Sequence, residues 1–127
     1  MQELFVRTDK KLISTLPRYT FGGRIIVVQS ESEANRAVAY LRTQKIVGID
    51  TETRPSFRRG QQHKVALIQI ATPDICFLFR LNYMGFPESL VNLLEDAQIA
   101  KVGLSLKDDT HQLTQRHPGF TPKHFID

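Results

Sequence analysis

Residues 45 to 53, Lys45-Ile46-Val47-Gly48-Ile49-Asp50-Thr51-Glu52-Thr53, set the tightest limit on what this chain can fold into. Ile, Val and Thr suit a pleated strand and lose rotamer freedom in a helix, so the run reads as a buried strand that leaves the core through two carboxylates. Side chains alternate along a strand. Asp50 and Glu52 therefore share one side, Thr51 turns to the other, and the two acids' Cα atoms stand roughly 6.6 Å apart. Like charges on one face, with no basic residue between them, repel and lose hydration unless a cation lies there, and oxygen ligands suit hard divalent cations. The alternative is a strand that ends at Asp50 and leaves both acids solvated in a loop.

The segments around this strand supply its partners. Arg24–Gln29 is a β-branched run bounded by Gly22-Gly23 and Ser30, hence a strand. Ser30 with Glu33 has the form of a capping box, and Ala34, Ala37, Val38 and Leu41 recur at helical spacing as one buried face. Arg36, Arg42 and Lys45 lie off that face or at its end, where cations suit a helix C-terminus. After the acids comes a polar, basic loop, Arg54-Pro55-Ser56-Phe57-Arg58-Arg59-Gly60-Gln61-Gln62. Lys64–Ala71 and Ile75–Phe79 are two more buried strands. Only Thr72-Pro73-Asp74 separates them, so they pair as an antiparallel hairpin and complete a three-strand meander.

Pro87-Glu88 opens a helix whose packed side is Leu90, Leu93, Leu94 and Ala97. Ile99–Leu104 is short and apolar, a strand that follows a helix and so can run parallel to the acidic one. Residues 105–116 pass into a helix that Pro118-Gly119 ends, with Asp108 and Asp109 in a first turn where the helix dipole favours acids. His124-Phe125-Ile126-Asp127 reads as a strand beginning. Residues 1–23 are weakly patterned and are read as a loosely packed N-terminal leader, leaving residues 24–127 as the folded domain.

Composition narrows the class. A chain of 127 residues with 41% hydrophobic and 24% charged residues is an ordinary single domain. It has no apolar run long enough to span a bilayer and no signal-peptide layout, so the reading is a soluble, cytoplasmic protein without membrane partners. Cys76 is the one cysteine, which rules out an intrachain disulfide, and its apolar neighbours make it a core residue. A net charge of +4 and a pI near 9.5 suit a nucleic-acid partner once acids are embedded in a basic surface. No glycine-rich phosphate loop and no G-x-S-x-G turn is present.

The order of elements is that of an α/β mixed sheet, with the acidic strand beside the strand that starts near residue 99. The acidic end of the former then faces the start of the helix after the latter. That gathers Asp50, Glu52 and Asp109 at the sheet's carboxyl edge, where open α/β sheets place ligands. Three carboxylates there point to metal, and a pair of ions can clamp the attacking and leaving oxygens of a phosphodiester.

Ile49-Asp50-Thr51-Glu52, followed by Lys64-Val65-Ala66-Leu67-Ile68-Gln69-Ile70 and by Lys101-Val102-Gly103-Leu104 with Asp109 and Leu113, resembles the 3'-5' exonuclease domain of the DEDD superfamily, in the branch of ribonuclease D and the Werner-syndrome exonuclease. The resemblance covers roughly residues 25 to 127. It implies an RNase H-like fold, two Mg2+ or Mn2+ ions, and release of 5'-mononucleotides from the 3' end of single-stranded DNA or RNA. Carried over by motif, Asp50 would bridge both ions, Glu52 would hold the one that activates water, and Asp109 would help hold the other. Asp109 rather than Asp108 matches because it stands four residues before Leu113, and Asp108 is left as a helix cap. The backbone around Thr51 lies where the family receives the terminal nucleotide. Arg58, Arg59 and Lys107 are candidate phosphate contacts read from charge and position alone.

The sequence departs from the family in one respect. The fourth acid and its Tyr or His, in a Y-x-x-x-D or H-x-x-x-x-D segment, have no counterpart at either spacing. The missing piece is expected beyond Ile126-Asp127, which makes the domain C-terminally incomplete and its activity impaired. Two other readings stay open: a nucleic-acid- or partner-binding module with a vestigial site, and a different RNase H-like nuclease.

Overall fold

The computed structural model describes residues 23–53 and 65–127. β1 (Arg24–Val28) gives way at Ser30 to α1 (Glu31–Leu41). The capping box forms: Ser30 Oγ accepts from Glu33 N at 3.2 Å, and the Glu33 carboxylate accepts from Gln29 N at 3.0 Å. Arg42 follows the helix and donates to Asp96 at 2.8 Å, so its charge serves a tertiary contact rather than the helix end. β2 (Ile46–Thr53), β3 (Val65–Ala71) and β4 (Ile75–Arg80) come next, then α2 (Leu81–Met84) and α3 (Glu88–Leu94). β5 (Ala100–Val102), α4 (Leu106–Arg116) and β6 (Phe125–Ile126) complete the order.

The six strands form one mixed sheet in the order β1-β4-β3-β2-β5-β6. β2, β3 and β4 are the antiparallel meander, and the hairpin turn is tied by Thr72 Oγ1, which accepts from Asp74 N and Ile75 N. β5 runs parallel to β2, with Val47 beside Lys101 and Gly48 beside Val102. β1 runs parallel to β4 at the far edge, and β6 parallel to β5 at the other.

Alternation sorts the sheet's two faces. Val47, Ile49, Ile68, Ile70, Phe77 and Phe79 form one large apolar cluster with Ala34, Val38 and Leu41 of α1, Leu90 and Leu93 of α3, and Leu106 and Leu113 of α4. The three longer helices thus lie on this face, where each fully buried Leu, Ile or Phe contributes about 1.5–3 kcal/mol. A second, smaller cluster of Val27, Leu67, Cys76 and Leu78 lies on the opposite face, and Cys76 is buried as its neighbours predicted.

Several local expectations shift. β2 itself keeps the continuous reading, running through Asp50, Thr51 and Glu52 and setting aside the alternative end at Asp50, because β3 pairs with it as far as Thr53, with a bulge between Glu52 and Thr53. Pro87 stands one place before α3, whose buried face includes Val91; Ala97 lies beyond the helix and is exposed. Leu104 is not in β5 but on the surface, 85% exposed. The one-turn α2 had no helical period to announce it. The leader reading covers residues 1–23, of which 1–22 lie outside the described residues, as do residues 54–64, where the readings of Arg58 and Arg59 fall. No helix among the described residues is long and apolar enough to cross a membrane.

Candidate active site

The pairing of β2 with β3 fixes where the acids point. Asp50 lies opposite Gln69, Thr51 opposite Ile68 and Glu52 opposite Leu67. Since Ile68 faces the helices and Gln69 and Leu67 do not, Asp50 and Glu52 occupy the opposite face, while Thr51 turns toward α4. Asp50 is half-buried and its Oδ1 accepts from Thr51 N at 3.0 Å, which orients the carboxylate along the strand. Glu52 is also half-buried. Its pKa is raised, first by burial and then by the charge of Asp50.

Asp109 comes from the first turn of α4. Leu106 and Leu113 anchor that helix in the main core, and Asp109 between them is turned toward β2. Its pKa is raised too: burial dominates, the Thr51 side chain opposes it by hydrogen bonding, and the charges of Asp50, Asp108 and Asp127 add to the rise. Asp109 Oδ2 is buried with no hydrogen-bond partner among the described residues. Both raised acids therefore lie in the field of Asp50. Asp109 reaches β2 on the side of Thr51, over the strand from the face that holds Asp50 and Glu52. Among the described residues, no three His, Cys, Asp or Glu side chains stand close enough together to hold one ion. The donor set is all carboxylate oxygen, and an orphaned buried acceptor fits a hard cation in chemistry.

Beside Asp50 opens a cavity of about 380 Å³, lined by Gly48, Gln69, Cys76, Gly103 and Leu104 among others. Gln69 is 5% exposed, and its Nε2 has no partner among the described residues. The cavity thus lies on the side of the sheet that holds Asp50 and Glu52.

Of the remaining sequence candidates, Lys107 is exposed on the second residue of α4, with its charge available to solvent. Asp108 is exposed, and among the described residues the amides at the start of α4 are not capped by it. The cap is Asp127, whose Oδ1 accepts from Ser105 N at 3.0 Å and Oδ2 from Leu106 N at 3.2 Å. Sequence reading missed it because a cap is sought next to the helix it serves, and this one stands 21 residues away from Leu106.

Comparison with known proteins places this arrangement. A family model described as 3'-5' exonuclease matches residues 25–127. A 3'-5' exonuclease of Arabidopsis thaliana is 34% identical over 109 residues, which are 76% of this chain and 38% of that protein. The human exonuclease 3'-5' domain-containing protein 2 is 30% identical over 129 residues, 90% of this chain and 20% of that one. This chain thus spans well under half of either relative. Among solved structures, the EXD2 exonuclease domain superposes with a TM-score of 0.71 at 28% identity, over 81% of this chain and 56% of that one. The Aedes aegypti Nibbler EXO domain, at 19% identity and a TM-score of 0.68, shares the fold. The mixed sheet with its flanking helices is accordingly the RNase H-like exonuclease fold. With the acidic strand, the meander and Asp109 all inside the matched residues, the chain belongs to the 3'-5' exonuclease family of the DEDD superfamily.

Proposed function

We propose that residues 24–127 supply three of the metal-holding acids of a 3'-5' exonuclease acting on single-stranded DNA or RNA ends. One observation carries this reading: Glu52 and Asp109, on different elements, are both half-buried acids whose pKa is raised by burial and by the charge of the same Asp50. Such a cluster costs stability in a protein that has no cation to place there. The EXD2 exonuclease domain has been soaked with Mg and with Mn, together with GMP or dGMP, which supports divalent ions and a nucleotide here.

Asp50 and Glu52 would hold one Mg2+ or Mn2+, and Asp50 with Asp109 a second. When bound, the ions supply Lewis-acid stabilisation of the phosphate oxygens and a more acidic water. The chain's own part is orientation. The Thr51 amide fixes the Asp50 carboxylate, the Thr51 side chain steadies Asp109, and the backbone at Thr51 is the floor for the terminal nucleotide. Water adds to phosphorus, the bond to the 3' oxygen of the penultimate nucleotide breaks, and a 5'-mononucleotide leaves. Lys107, with Arg58 and Arg59, would meet backbone phosphates.

The family's fourth acid has no counterpart in this sequence, so weak Mn2+ affinity and turnover far below an enzyme's are expected of the 127-residue chain. The test is calorimetric Mn2+ titration and degradation of a 3'-labelled single strand, with wild type and Asp50→Ala. Mn2+ binding that Asp50→Ala abolishes supports the reading. Salt-sensitive nucleic-acid binding that ignores both Mn2+ and Asp50→Ala would instead identify a binding module with a vestigial site. Internal cuts would point to a different RNase H-like nuclease, and an enzyme-like exonucleolytic rate lost in Asp50→Ala would refute the incomplete site.

A further inference from the structure

We infer that Asp127 is a positioning residue: its carboxylate holds the corner between β5 and α4 and so sets where Asp109 meets β2. The inference rests on the function proposed above, because what is positioned is a proposed metal ligand. The corner is unusual. Ser105, the residue before α4, has left-handed backbone angles (φ 57°, ψ 36°), and its own side chain makes no capping bond. Left-handed backbone on a residue other than glycine persists only where the surroundings hold it.

The surroundings are specific. Asp127 accepts from Ser105 N with one oxygen and from Leu106 N with the other, two charge-assisted bonds that satisfy amides at the helix start and suit its dipole. β6 delivers Asp127 to this place, since Ile126 pairs with Val102 and its carbonyl accepts from Gly103 N at 3.1 Å. On the other side the corner is wedged against β2. A Cβ on Gly103 would overlap the carbonyl oxygen of Ile49, the residue before Asp50, and stand 2.9 Å from Leu106 Cδ2. The corner is thus clamped between the strand that carries two of the acids and the carboxylate of Asp127. Asp109 follows three residues after Leu106, inside the turn that this clamp fastens. Each Asp127 oxygen accepts one of these two amide bonds, so the carboxylate acts as a clamp and is not proposed as a fourth ligand.

The experiment compares wild type, Asp127→Ala and Asp127→Asn with Ser30→Ala, which removes a cap on α1 and leaves this corner intact. Amide hydrogen exchange at Ser105 and Leu106 and calorimetric Mn2+ affinity are measured on each. In Asp127→Ala the two amides exchange faster and Mn2+ affinity falls by about tenfold or more, the usual loss when a partner that orients a ligand is removed. Asp127→Asn, which keeps one acceptor oxygen, lies between, and Ser30→Ala leaves Mn2+ affinity at the wild-type value. Unchanged exchange in Asp127→Ala overturns the clamp. Faster exchange with unchanged Mn2+ affinity overturns the positioning role, as does an equal loss of affinity in Ser30→Ala. If Asp127→Ala does not fold, wild-type affinity in Asp127→Asn overturns it as well. A wild-type chain whose Mn2+ binding is absent, or survives Asp50→Ala, instead defeats the metal reading and with it the purpose given to Asp127.

Discussion

Asp109 shows what single residues contribute. Its pKa and that of Glu52 are raised on folding, so each binds its proton more tightly in the folded state than in the unfolded one. The stability they contribute is complete at low pH and is lost as pH rises through the folded pKa values. Asp109→Asn removes one charge from the cluster and should stabilise the metal-free protein at pH 7 by about 0.5–2 kcal/mol, a gain of the kind seen when functional strain is relieved. Urea denaturation at pH 7 and at pH 4 checks this, because the advantage should shrink where the acid is protonated. An unchanged or lower midpoint at pH 7 counts against the cluster as a site of strain. That Asp50 and Glu52 share one face was legible from alternation, and the choice of Asp109 over Asp108 came from the family resemblance, in which the acid stands four residues before an apolar helix position, here Leu113. Their electrostatic coupling was not legible, since it depends on how α4 sits over Thr51.

The elements were read most surely where a long apolar period left little choice. The β-branched runs became the meander, and the Ser30–Glu33 pattern became the start of α1. Elements of one turn or less carry too few residues for a period, which is why α2 escaped notice and why Leu104 was assigned to a strand that ends at Val102. The passage from β5 to α4 depends on Gly103 in a way no pattern announces. Gly103→Ala should cost about 1–3 kcal/mol as an overpacked contact, because the obstacle is the backbone of β2 rather than a side chain that can turn away. A denaturation midpoint within error of wild type would show that β2 and α4 can separate there without loss. The same variant should also weaken Mn2+ binding if the corner sets Asp109.

Across the whole molecule, Lys101 joins elements that lie apart in sequence. It is fully buried on β5, with Nζ donating to Asp96 O at 2.7 Å and to Leu93 O at 3.5 Å, just past and near the end of α3, and standing 5.5 Å from the Phe125 ring of β6. Burial pushes its pKa down from 10.5 to about 8, against the charge of Asp96 and with that of Arg42. Between those two values the unfolded chain holds a proton that the folded chain lacks, so global stability should rise with pH from about 8 to 10.5. Thermal or urea unfolding across that range checks the sign, with Lys101→Met as the variant in which this rise is absent. The sequence marked Lys101 only as part of a family motif; a lysine inside an apolar strand gives no sign of which carbonyls receive it. The pairing of β1 with β4 was equally hidden, since nothing local says which edge a first strand will join. The clamp at Asp127 also couples the order of β6 to the start of α4. A transient parting of β6 from β5 would withdraw both acceptors at once and leave the turn that carries Asp109 unfastened, while β1 to β5 keep their pairing.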